Sequence, residues 1–486
     1  MPKMKINEKV LQKTIKLCKE KNIVIPTFEQ LAQPAKTPES VQKKMKSVGL
    51  WDVNPVNLFR ITWKNNVKTG LFGDVNAIEI PPALSGVDAR IVGLVGKWFP
   101  TGAHKVGAAF GCLAPRLVSG EFDPTTQKAV WPSTGNYCRG GAFDCALLSC
   151  TAVAILPQEM SKERFTWLKS IGAEVIATPG CESNVKEIYD KCWEIRKTRK
   201  DCVIFNQFDE FGNPIWHYYC TGNALEEAFN KIKKKGDRFS GYVSATGSAG
   251  TIGAGEYLKK IHPHVRLGAS EALQCPTLLR NGFGGHRIEG IGDKHVPWIH
   301  NVRNTDMIID INDENCMRTL RLFNEPAGKK VLRQNGVSAE LIEQLPLLGI
   351  SSISNLLSAV KMAKYYEFNK NDVVFTIFTD SAEMYGSRLE ELRKDRGAYT
   401  DLQAAIDHER YVKGTATDDL KELSYYDRKA LHNLKYFTWV EQQGKTVEEL
   451  NRLWEPDFWD ETFEQVHEWD KLIVEFNKAT GLAKTA

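Results

Sequence analysis

The residue of this sequence best placed for amine chemistry is a lysine at the start of a predicted helix. The apolar run from Arg90 to Val95 predicts a buried strand, and the loop Phe99-Pro100-Thr101-Gly102 separates that strand from Lys105. This order places an amine at the carboxyl end of a sheet, where α/β folds bind their ligands. A lone lysine is usually a solvated surface charge, so its role depends on other segments.

A turn of small residues could bind an anion. Gly247-Ser248-Ala249-Gly250-Thr251 follows one predicted strand and precedes the helical run from Ile252 to Lys260. Small residues let backbone N–H groups turn inward, and the helix dipole adds positive charge, so the turn suits a phosphate. It has no G-x-x-x-x-G-K-S/T pattern and is therefore not a nucleotide P-loop. Taken alone, it could equally be a plain turn.

Two polar loops also follow predicted strands. The loop from Ser133 to Gly141, STGNYCRGG, precedes a helix predicted from Ala142 to Cys150. Its hydroxyls, amide and exposed N–H groups suit a carboxylate, although a polar helix cap is the simpler interpretation. The second loop is Thr379-Asp380-Ser381, whose hydroxyls could simply cap the next helix. Alternation along the strand end predicts that Asp380 and Ser381 point to different sides.

The pattern of strands and helices predicts the elements that position these loops. Strand-like runs occur at Arg90–Val95, Lys128–Trp131, Ala152–Leu156, Ala173–Ala177, Val203–Phe205, Tyr242–Ala245, Val265–Ala269 and Val373–Phe378. Because amphipathic helices alternate with these strands, the sequence predicts an α/β fold with mostly parallel sheet. After about Arg396 no strand is predicted, and the aromatic face of this helical part must be buried against the body or a partner chain.

Composition narrows the function further. The 486 residues carry a net charge of only +4, which argues against a nucleic-acid or membrane partner. No apolar stretch reaches the roughly 18 residues of a membrane span, and the N-terminus lacks the apolar core of a signal peptide. The 11 cysteines include no C-x-x-C pair and are typical of reduced thiols, so a cytoplasmic location is expected.

In their order along the chain, these segments resemble the pyridoxal-phosphate enzymes of the cysteine synthase and cystathionine β-synthase family. The resemblance covers roughly Val48 to Lys394. PTGAHK is similar to the segment with the Schiff-base lysine, and closer still to that of tryptophan synthase β chains. GSAGTIGAGEYLKK resembles the phosphate loop of the family, and STGN resembles its loop for the substrate carboxylate. TDSAEMYGS resembles the segment that faces the pyridine nitrogen. SKERFTWLKSIGAEVIATPG, QFDEFGNPIWHYYCTG, HRIEGIG and GISS also match.

The resemblance implies a two-domain fold of type II, tryptophan synthase β-like, with helical extensions at both ends. The expected divisions are an N-terminal extension over 1–46, a core over 47–395 with a smaller subdomain at about 100–215, and a Trp-rich C-terminal extension over 396–486. Lys105 is implied as the catalytic residue, and no metal is expected. The implied cofactor ligands are Lys105, Asn136, Gly247, Ser248, Ala249, Gly250, Thr251 and Ser381. The implied substrate ligands are Ser133, Thr134, Gly135, Tyr137 and Gln207.

The implied reaction is β-replacement or β-elimination on a small amino acid such as O-acetylserine, serine or cysteine, through an aminoacrylate. A neutral Ser381 at the ring nitrogen favours β chemistry over transamination. Release of pyruvate and ammonia by a lyase or deaminase, and a non-catalytic cofactor-binding subunit, remain alternatives. The family also implies a homodimer. The departures are Thr134 where the family has serine, Tyr137 where it has threonine, and the bulky Tyr137-Cys138-Arg139, which should reshape the substrate pocket.

Overall fold

The computed structural model describes residues 4–133, 135–181 and 184–482 and contains strands at all eight predicted places. The strands are β1 (Ala77–Ile80), β2 (Arg90–Val95), β3 (Lys128–Pro132), β4 (Thr151–Pro157), β5 (Glu174–Thr178), β6 (Cys202–Ile204), β7 (Arg238–Ala245), β8 (Arg266–Ala272), β9 (Met307–Ile311), β10 (Asp372–Phe378) and β11 (Leu420–Glu422). The sequence pattern missed β1, β9 and β11, which are short or lie between Asn- and Asp-rich flanks.

These strands form two separate sheets in the described part of the chain. The larger sheet has the order β1-β2-β10-β7-β8-β9-β11, and the smaller has the order β5-β4-β3-β6. Every neighbouring pair is parallel except the two edge pairs of the larger sheet, β1 with β2 and β11 with β9. The expected mostly parallel α/β architecture is therefore confirmed, with an antiparallel strand at each edge of the larger sheet.

Helices cover both sheets and form the two ends of the chain. They are α1 (Glu8–Glu20), α2 (Phe28–Ala32), α3 (Glu39–Met45), α4 (Pro82–Ser85), α5 (Lys105–Ser119), α6 (Asn136–Leu147), α7 (Lys162–Ser170), α8 (Val185–Thr198), α9 (Gly212–Trp216), α10 (Gly222–Ile232), α11 (Ala254–Ile261), α12 (Thr277–Arg280), α13 (Asp313–Asn324), α14 (Pro326–Gln334), α15 (Ala339–Gln344), α16 (Ile350–Tyr365), α17 (Gly386–Arg396), α18 (Asp401–Asp407), α19 (Tyr425–Lys435), α20 (Val447–Arg452) and α21 (Pro456–Thr480).

Helix α6 begins earlier than its sequence predicts. The pair Gly140-Gly141 indicated a loop up to Gly141, but the helix already starts at Asn136. Both glycines are needed for close packing. A Cβ on Gly140 would lie 2.7 Å from the Cα of Val106 in α5, and a Cβ on Gly141 would overlap the Trp131 ring. The glycines thus bring α6 against the start of α5, which carries Lys105.

The two chain ends pack on the body and on each other. In α21 the predicted aromatic face is buried, and Phe463 stacks on Tyr218 with ring centroids 4.2 Å apart. Asp470 of the same helix accepts hydrogen bonds from the backbone N–H groups of Phe28 and Glu29 at 2.6 and 3.0 Å. The sequence predicted an entirely helical C-terminal extension, and this prediction was wrong. The extension contributes strand β11 to the larger sheet.

Within the described ranges, no single helix is long and apolar enough to cross a membrane. In that part of the chain, only the segments Ala339–Leu347 and Ile350–Tyr365, which meet at a bend of 120°, are together as long and apolar as a membrane span.

Candidate active site

Lys105 lies where the sequence predicts, at the first turn of α5 after the loop that follows β2. Its Nζ donates a hydrogen bond to the carbonyl oxygen of Gly290 at 3.1 Å. Gly290 belongs to the HRIEGIG segment and has a φ of 98°, a conformation that favours glycine. The segment therefore brings a backbone carbonyl to the lysine amine.

A cavity lies between Lys105 and the small-residue turn. It is lined by Lys105, Ser244, Ala245, Gly247, Ser248, Ala249, Thr251, Gly290, Ile291, Asn355 and Thr379. Its walls therefore come from the loop ends of β7 and β10, from the segment at Gly290 and from helix α16. This is the ligand-binding edge expected for a parallel sheet. Five of the implied cofactor ligands line the cavity together.

The turn Gly247–Thr251 is built to accept an anion. No acceptor in the described ranges bonds the backbone N–H groups of Gly247, Ser248, Ala249 and Gly250. Ala249 has a φ of 62°, which keeps the turn tight. A Cβ on Gly250 would overlap the amide of Asn213, and this amide also donates to the Ser248 hydroxyl at 3.1 Å. Unpaired N–H groups in such a turn form a concave anion site.

Two buried histidines contact the hydroxyl of Thr251 at this turn. The Nε2 atoms of His104 and His217 lie 3.3 and 3.5 Å from Thr251 Oγ1. Burial and the adjacent charge of Lys105 lower the pKa of His104 to about 3. Burial likewise keeps the pKa of His217 well below its ordinary value. Both rings are therefore neutral at physiological pH, and each offers one donor and one acceptor nitrogen.

The carboxylate loop has a fixed backbone. Ser133 Oγ accepts the N–H of Gly135 at 3.1 Å. Gly135 has a φ of 154°, and a Cβ there would overlap the guanidinium of Arg164, so no larger residue fits. Thr134, which the resemblance assigns to the substrate carboxylate, lies outside the described residues.

Asn136 contacts a carboxylate at the end of β10. Its Nδ2 donates to Asp380 Oδ2 at 2.7 Å, and its Oδ1 is buried without a partner in the described structure. The hydroxyl of Tyr385 donates to the same Asp380 oxygen at 2.8 Å. Burial raises the pKa of Asp380, and the nearby Arg164 charge opposes that shift.

Arg164 links the carboxylate loop to the larger sheet's domain. This arginine is fully buried, forms an ion pair with Glu289 at 3.2 Å and donates to the Tyr385 hydroxyl at 3.1 Å. Glu289 is equally buried and also pairs with Arg388 at 2.7 Å. The matched segments SKERF and HRIEGIG thus meet as an ion pair behind the loop.

The bulky residues after Asn136 face the protein interior and not the cavity. The Tyr137 ring is fully buried and packs edge-on against Trp131 with centroids 5.4 Å apart. Cys138 Sγ donates to the Gly135 carbonyl oxygen at 3.0 Å, and burial raises the pKa of this thiol to about 12. Arg139 lies over the Trp167 ring at 4.6 Å. The Tyr137 ring therefore lies away from the cavity, and the implied contact between Tyr137 and substrate stays a prediction.

Gln207 and Ser381 each present a buried atom without a partner in the described ranges. These atoms are Gln207 Oε1 and Ser381 Oγ. The backbone carbonyl of Gln207 accepts from Asn213 at 3.0 Å, which ties it to the small-residue turn. Neither residue lines the cavity at Lys105 directly. Both nevertheless keep an unused hydrogen-bonding atom in the interior, where such atoms are rare.

Comparison with known proteins identifies the family. Residues 98–331 match the family described as "Pyridoxal-phosphate dependent enzyme". A cysteine synthase of Staphylococcus aureus is 30% identical over 287 residues, which are 59% of this chain and 84% of that protein. This chain belongs to the pyridoxal-phosphate-dependent enzymes. A cystathionine beta-synthase of Saccharomyces cerevisiae is 25% identical over 349 residues, covering 69% of this enzyme and 65% of that protein.

Solved structures agree on the fold. The O-acetyl serine sulfhydrylase isoform 3 of Entamoeba histolytica superposes with a TM-score of 0.55 at 24% identity, over 68% of this enzyme and 92% of that chain. The expected fold type II is therefore confirmed.

The residues of the cavity fit pyridoxal phosphate, the cofactor of this family. Lys105 supplies an amine at one wall, and the turn Gly247–Thr251 supplies N–H donors that lack acceptors in the described residues. Outside the cavity lining, the buried atoms Ser381 Oγ and Asn136 Oδ1 also have no partner among the described residues. A pyridine ring with a phosphate, a hydroxyl and a nitrogen would satisfy this donor and acceptor set.

Sequence reasoning missed the residues behind the loop. Asp380, Arg164, Tyr385 and Glu289 are all buried, and together they hold Gly135 and Asn136. The sequence does contain one signal for them. Asp380 lies two residues after the apolar strand β10, and a carboxylate at such a buried position must find donors. Which donors it finds depends on segments far apart in the chain.

Proposed function

We propose that this enzyme catalyses β-replacement or β-elimination on a small amino acid of the O-acetylserine, serine or cysteine type. The observation that carries the proposal is the cavity that joins Lys105 to a turn whose N–H groups have no acceptor among the described residues. The relatives named "Cysteine synthase" in Staphylococcus aureus and "Probable cysteine synthase" in Bacillus subtilis support the reaction class, since this chain spans 84% and 85% of their lengths.

Each site residue has a proposed role. When bound, pyridoxal phosphate spreads the charge that remains after the α proton of the substrate leaves. The amine of Lys105 anchors the cofactor and, once displaced by substrate, takes the α proton at Nζ. The turn N–H groups and Thr251 hold the phosphate. Gly135, Gln207 and the neighbouring loop hydroxyls orient the substrate carboxylate.

Ser381 sets the reaction type in this proposal. Its neutral, buried hydroxyl would face the ring nitrogen and leave that nitrogen unprotonated. A carboxylate in its place would keep the ring protonated and favour transamination. Asp380, the nearest carboxylate in sequence, is already held by Asn136 and Tyr385 and so serves a different contact.

Replacement of the lysine is the direct test. We expect Lys105→Ala to abolish turnover and the visible absorbance that appears when wild-type protein takes up pyridoxal phosphate, with little change in the melting temperature. Lys162→Ala is the matched control, because Lys162 is an exposed lysine on α7 and should behave as wild type. A Lys105→Ala protein with undiminished turnover would refute the assignment.

A panel of amino acids, each with and without sulfide, separates the alternatives. β-Replacement produces a new amino acid that requires sulfide, whereas elimination releases pyruvate and ammonia without it. A wild-type protein that takes up pyridoxal phosphate but converts none of these amino acids would favour the non-catalytic cofactor-binding subunit.

We also propose a cytoplasmic homodimer. None of the 11 cysteines, all of which lie in the described ranges, forms a disulfide, and most of them are buried, which suits a reducing compartment. The resemblance to the cysteine synthase family supports the dimer. Light scattering of the purified protein should therefore report twice the mass of one chain.

A further inference from the structure

A chain of buried hydrogen bonds connects the two sheets behind the active site. Asp380 follows strand β10 of the larger sheet, and Asn136 begins the helix that follows strand β3 of the smaller one. Their side chains meet at 2.7 Å, from Asn136 Nδ2 to Asp380 Oδ2, and both are buried. The carboxylate loop is therefore held at Asn136 by a carboxylate that follows a strand of the larger sheet.

A second branch reaches the adjacent residue of the same loop. Tyr385 donates to Asp380 Oδ2 at 2.8 Å and accepts from Arg164 Nη2 at 3.1 Å. The guanidinium of Arg164 fills the space beside Gly135 that a Cβ would need. Asp380 thus fixes Asn136 directly and supports Gly135 through Tyr385 and Arg164.

The burial of this carboxylate indicates a purpose beyond packing. A buried ion pair or carboxylate adds little stability compared with well-packed apolar residues. Asp380 has no exposed surface, and its Oδ1 has no donor in the described ranges and is packed against Gly349. A Cβ on Gly349 would overlap that oxygen, so the backbone of the GISS segment leaves room for the carboxylate.

We propose that Asp380 is a positioning residue of the cofactor site, which orients the Asn136 amide toward the cofactor ring hydroxyl. The inference rests on the proposed role of Asn136 as the ligand of that hydroxyl. A side-chain amide has two N–H donors and one acceptor oxygen. With one N–H held by Asp380, the amide can no longer rotate freely. The second N–H and the unpartnered Oδ1 then keep one orientation for the ligand.

A double-mutant cycle on cofactor binding tests this inference. Pyridoxal phosphate is titrated into wild type, Asp380→Ala, Asn136→Ala and the double variant, and both the dissociation constant and the absorbance maximum of the bound cofactor are measured. We expect each single variant to bind about tenfold more weakly and to shift the maximum, because a hydrogen bond to a charged group is lost. The double variant should be no weaker than Asn136→Ala alone, because the two residues act on one contact.

Two further variants separate positioning from folding. In Asp380→Asn a side-chain oxygen can still accept from Asn136, so this variant should retain part of the affinity and most of the wild-type spectrum. If Asp380→Ala does not fold, Asp380→Asn takes its place in the cycle. Glu383→Gln is the matched control, because Glu383 lies three residues further on with a side chain that is 71% exposed. Its spectrum and affinity should equal those of wild type.

The outcomes distinguish this inference from the proposed function. A wild-type protein that takes up no pyridoxal phosphate would overturn both. A second outcome would overturn the positioning role alone. In it, wild type takes up the cofactor normally, and the losses of binding free energy in Asp380→Ala and Asn136→Ala simply add in the double variant. A lower melting temperature of Asp380→Ala with an unchanged cofactor spectrum would also overturn it, because a merely structural residue would behave in that way.

Discussion

Individual buried polar atoms mark the cofactor site more clearly than exposed ones do. Ser381 Oγ, Asn136 Oδ1 and Gln207 Oε1 are buried and have no partner in the described part of the chain. Buried polar atoms in native proteins are nearly always hydrogen-bonded, so a bound ligand is one group that could supply the partners of these three atoms. The three belong to segments that the sequence resemblance had already assigned to cofactor or substrate.

A single substitution at Ser381 should change the reaction. We expect Ser381→Asp to shift products away from β-replacement and β-elimination, because a carboxylate would keep the pyridine nitrogen protonated. The measurement is the ratio of transamination to β products from serine, with Ser381→Ala as the control that removes the hydroxyl without adding charge. An unchanged product ratio in Ser381→Asp would count against the role at the ring nitrogen.

At the scale of elements, the position of Lys105 depends on how closely two helices approach. The start of α5 packs against α6 at Gly140, where a Cβ would lie 3.0 Å from the Lys105 carbonyl oxygen. Protein interiors are close-packed, so an added methyl group here must move one helix. The lysine at the first turn of α5 would move with it.

Gly140→Ala should therefore affect both stability and cofactor binding. We expect the free energy of unfolding to fall by about 1–3 kcal/mol and cofactor occupancy to decrease. Thermal melting and visible absorbance would measure the two effects. Gly386→Ala is the control, because a Cβ there would be in ordinary contact, 3.4 Å from Glu163 Oε1. If Gly140→Ala and Gly386→Ala changed the free energy of unfolding and the cofactor occupancy equally, the close approach of α5 and α6 would not be required for cofactor binding.

At the scale of the whole molecule, the C-terminal extension holds both domains. Trp439 donates to the Val296 carbonyl oxygen at 2.9 Å in the larger-sheet domain, and its ring packs 5.9 Å from that of Tyr189 on α8 beside the smaller sheet. Lys435 Nζ donates to the carbonyl oxygens of Trp298 and His300 at 2.9 and 2.6 Å. The extension thus fixes the loop that follows Gly290.

The stability of this contact should depend on pH. Burial lowers the pKa of Lys435 to about 7, while the neighbouring His300 and His432 have pKa values of about 3 and stay neutral. Above pH 7 and below about 10.4, the unfolded chain keeps a lysine proton that the folded protein has released. The contribution of Lys435 to stability therefore rises with pH in this window, by about 1.4 kcal/mol per unit at most, and below pH 7, where both states hold the proton, it stays at its lowest value.

Thermal melting at pH 6, 7, 8 and 9 checks this expectation. Lys435→Met removes the titrating group, so the melting temperature of the variant should rise less steeply with pH than that of wild type. Lys471→Met in the same extension is the control, because the Lys471 side chain is 68% exposed, and this variant should keep the wild-type slope. Parallel profiles for wild type and Lys435→Met would contradict the expectation.

The sequence alone determined the fold class, the strands that carry the site and the order of the loops around the cofactor. These features depend on local patterns, such as the apolar run before Lys105 and the small residues of Gly247–Thr251, which act within a few residues. The early start of α6 escaped prediction, because Gly140-Gly141 resembles a loop until its helix neighbours are known.

Only the tertiary structure decided which groups meet. Asn136 and Asp380 are 244 residues apart in the chain, and Arg164 and Tyr385 are 221 apart, yet they form one hydrogen-bonded unit. No local pattern encodes such a pairing, because it arises only when the two sheets pack and buried polar groups must find partners. For the same reason the interior position of the Tyr137 ring against Trp131 could not be derived from the sequence.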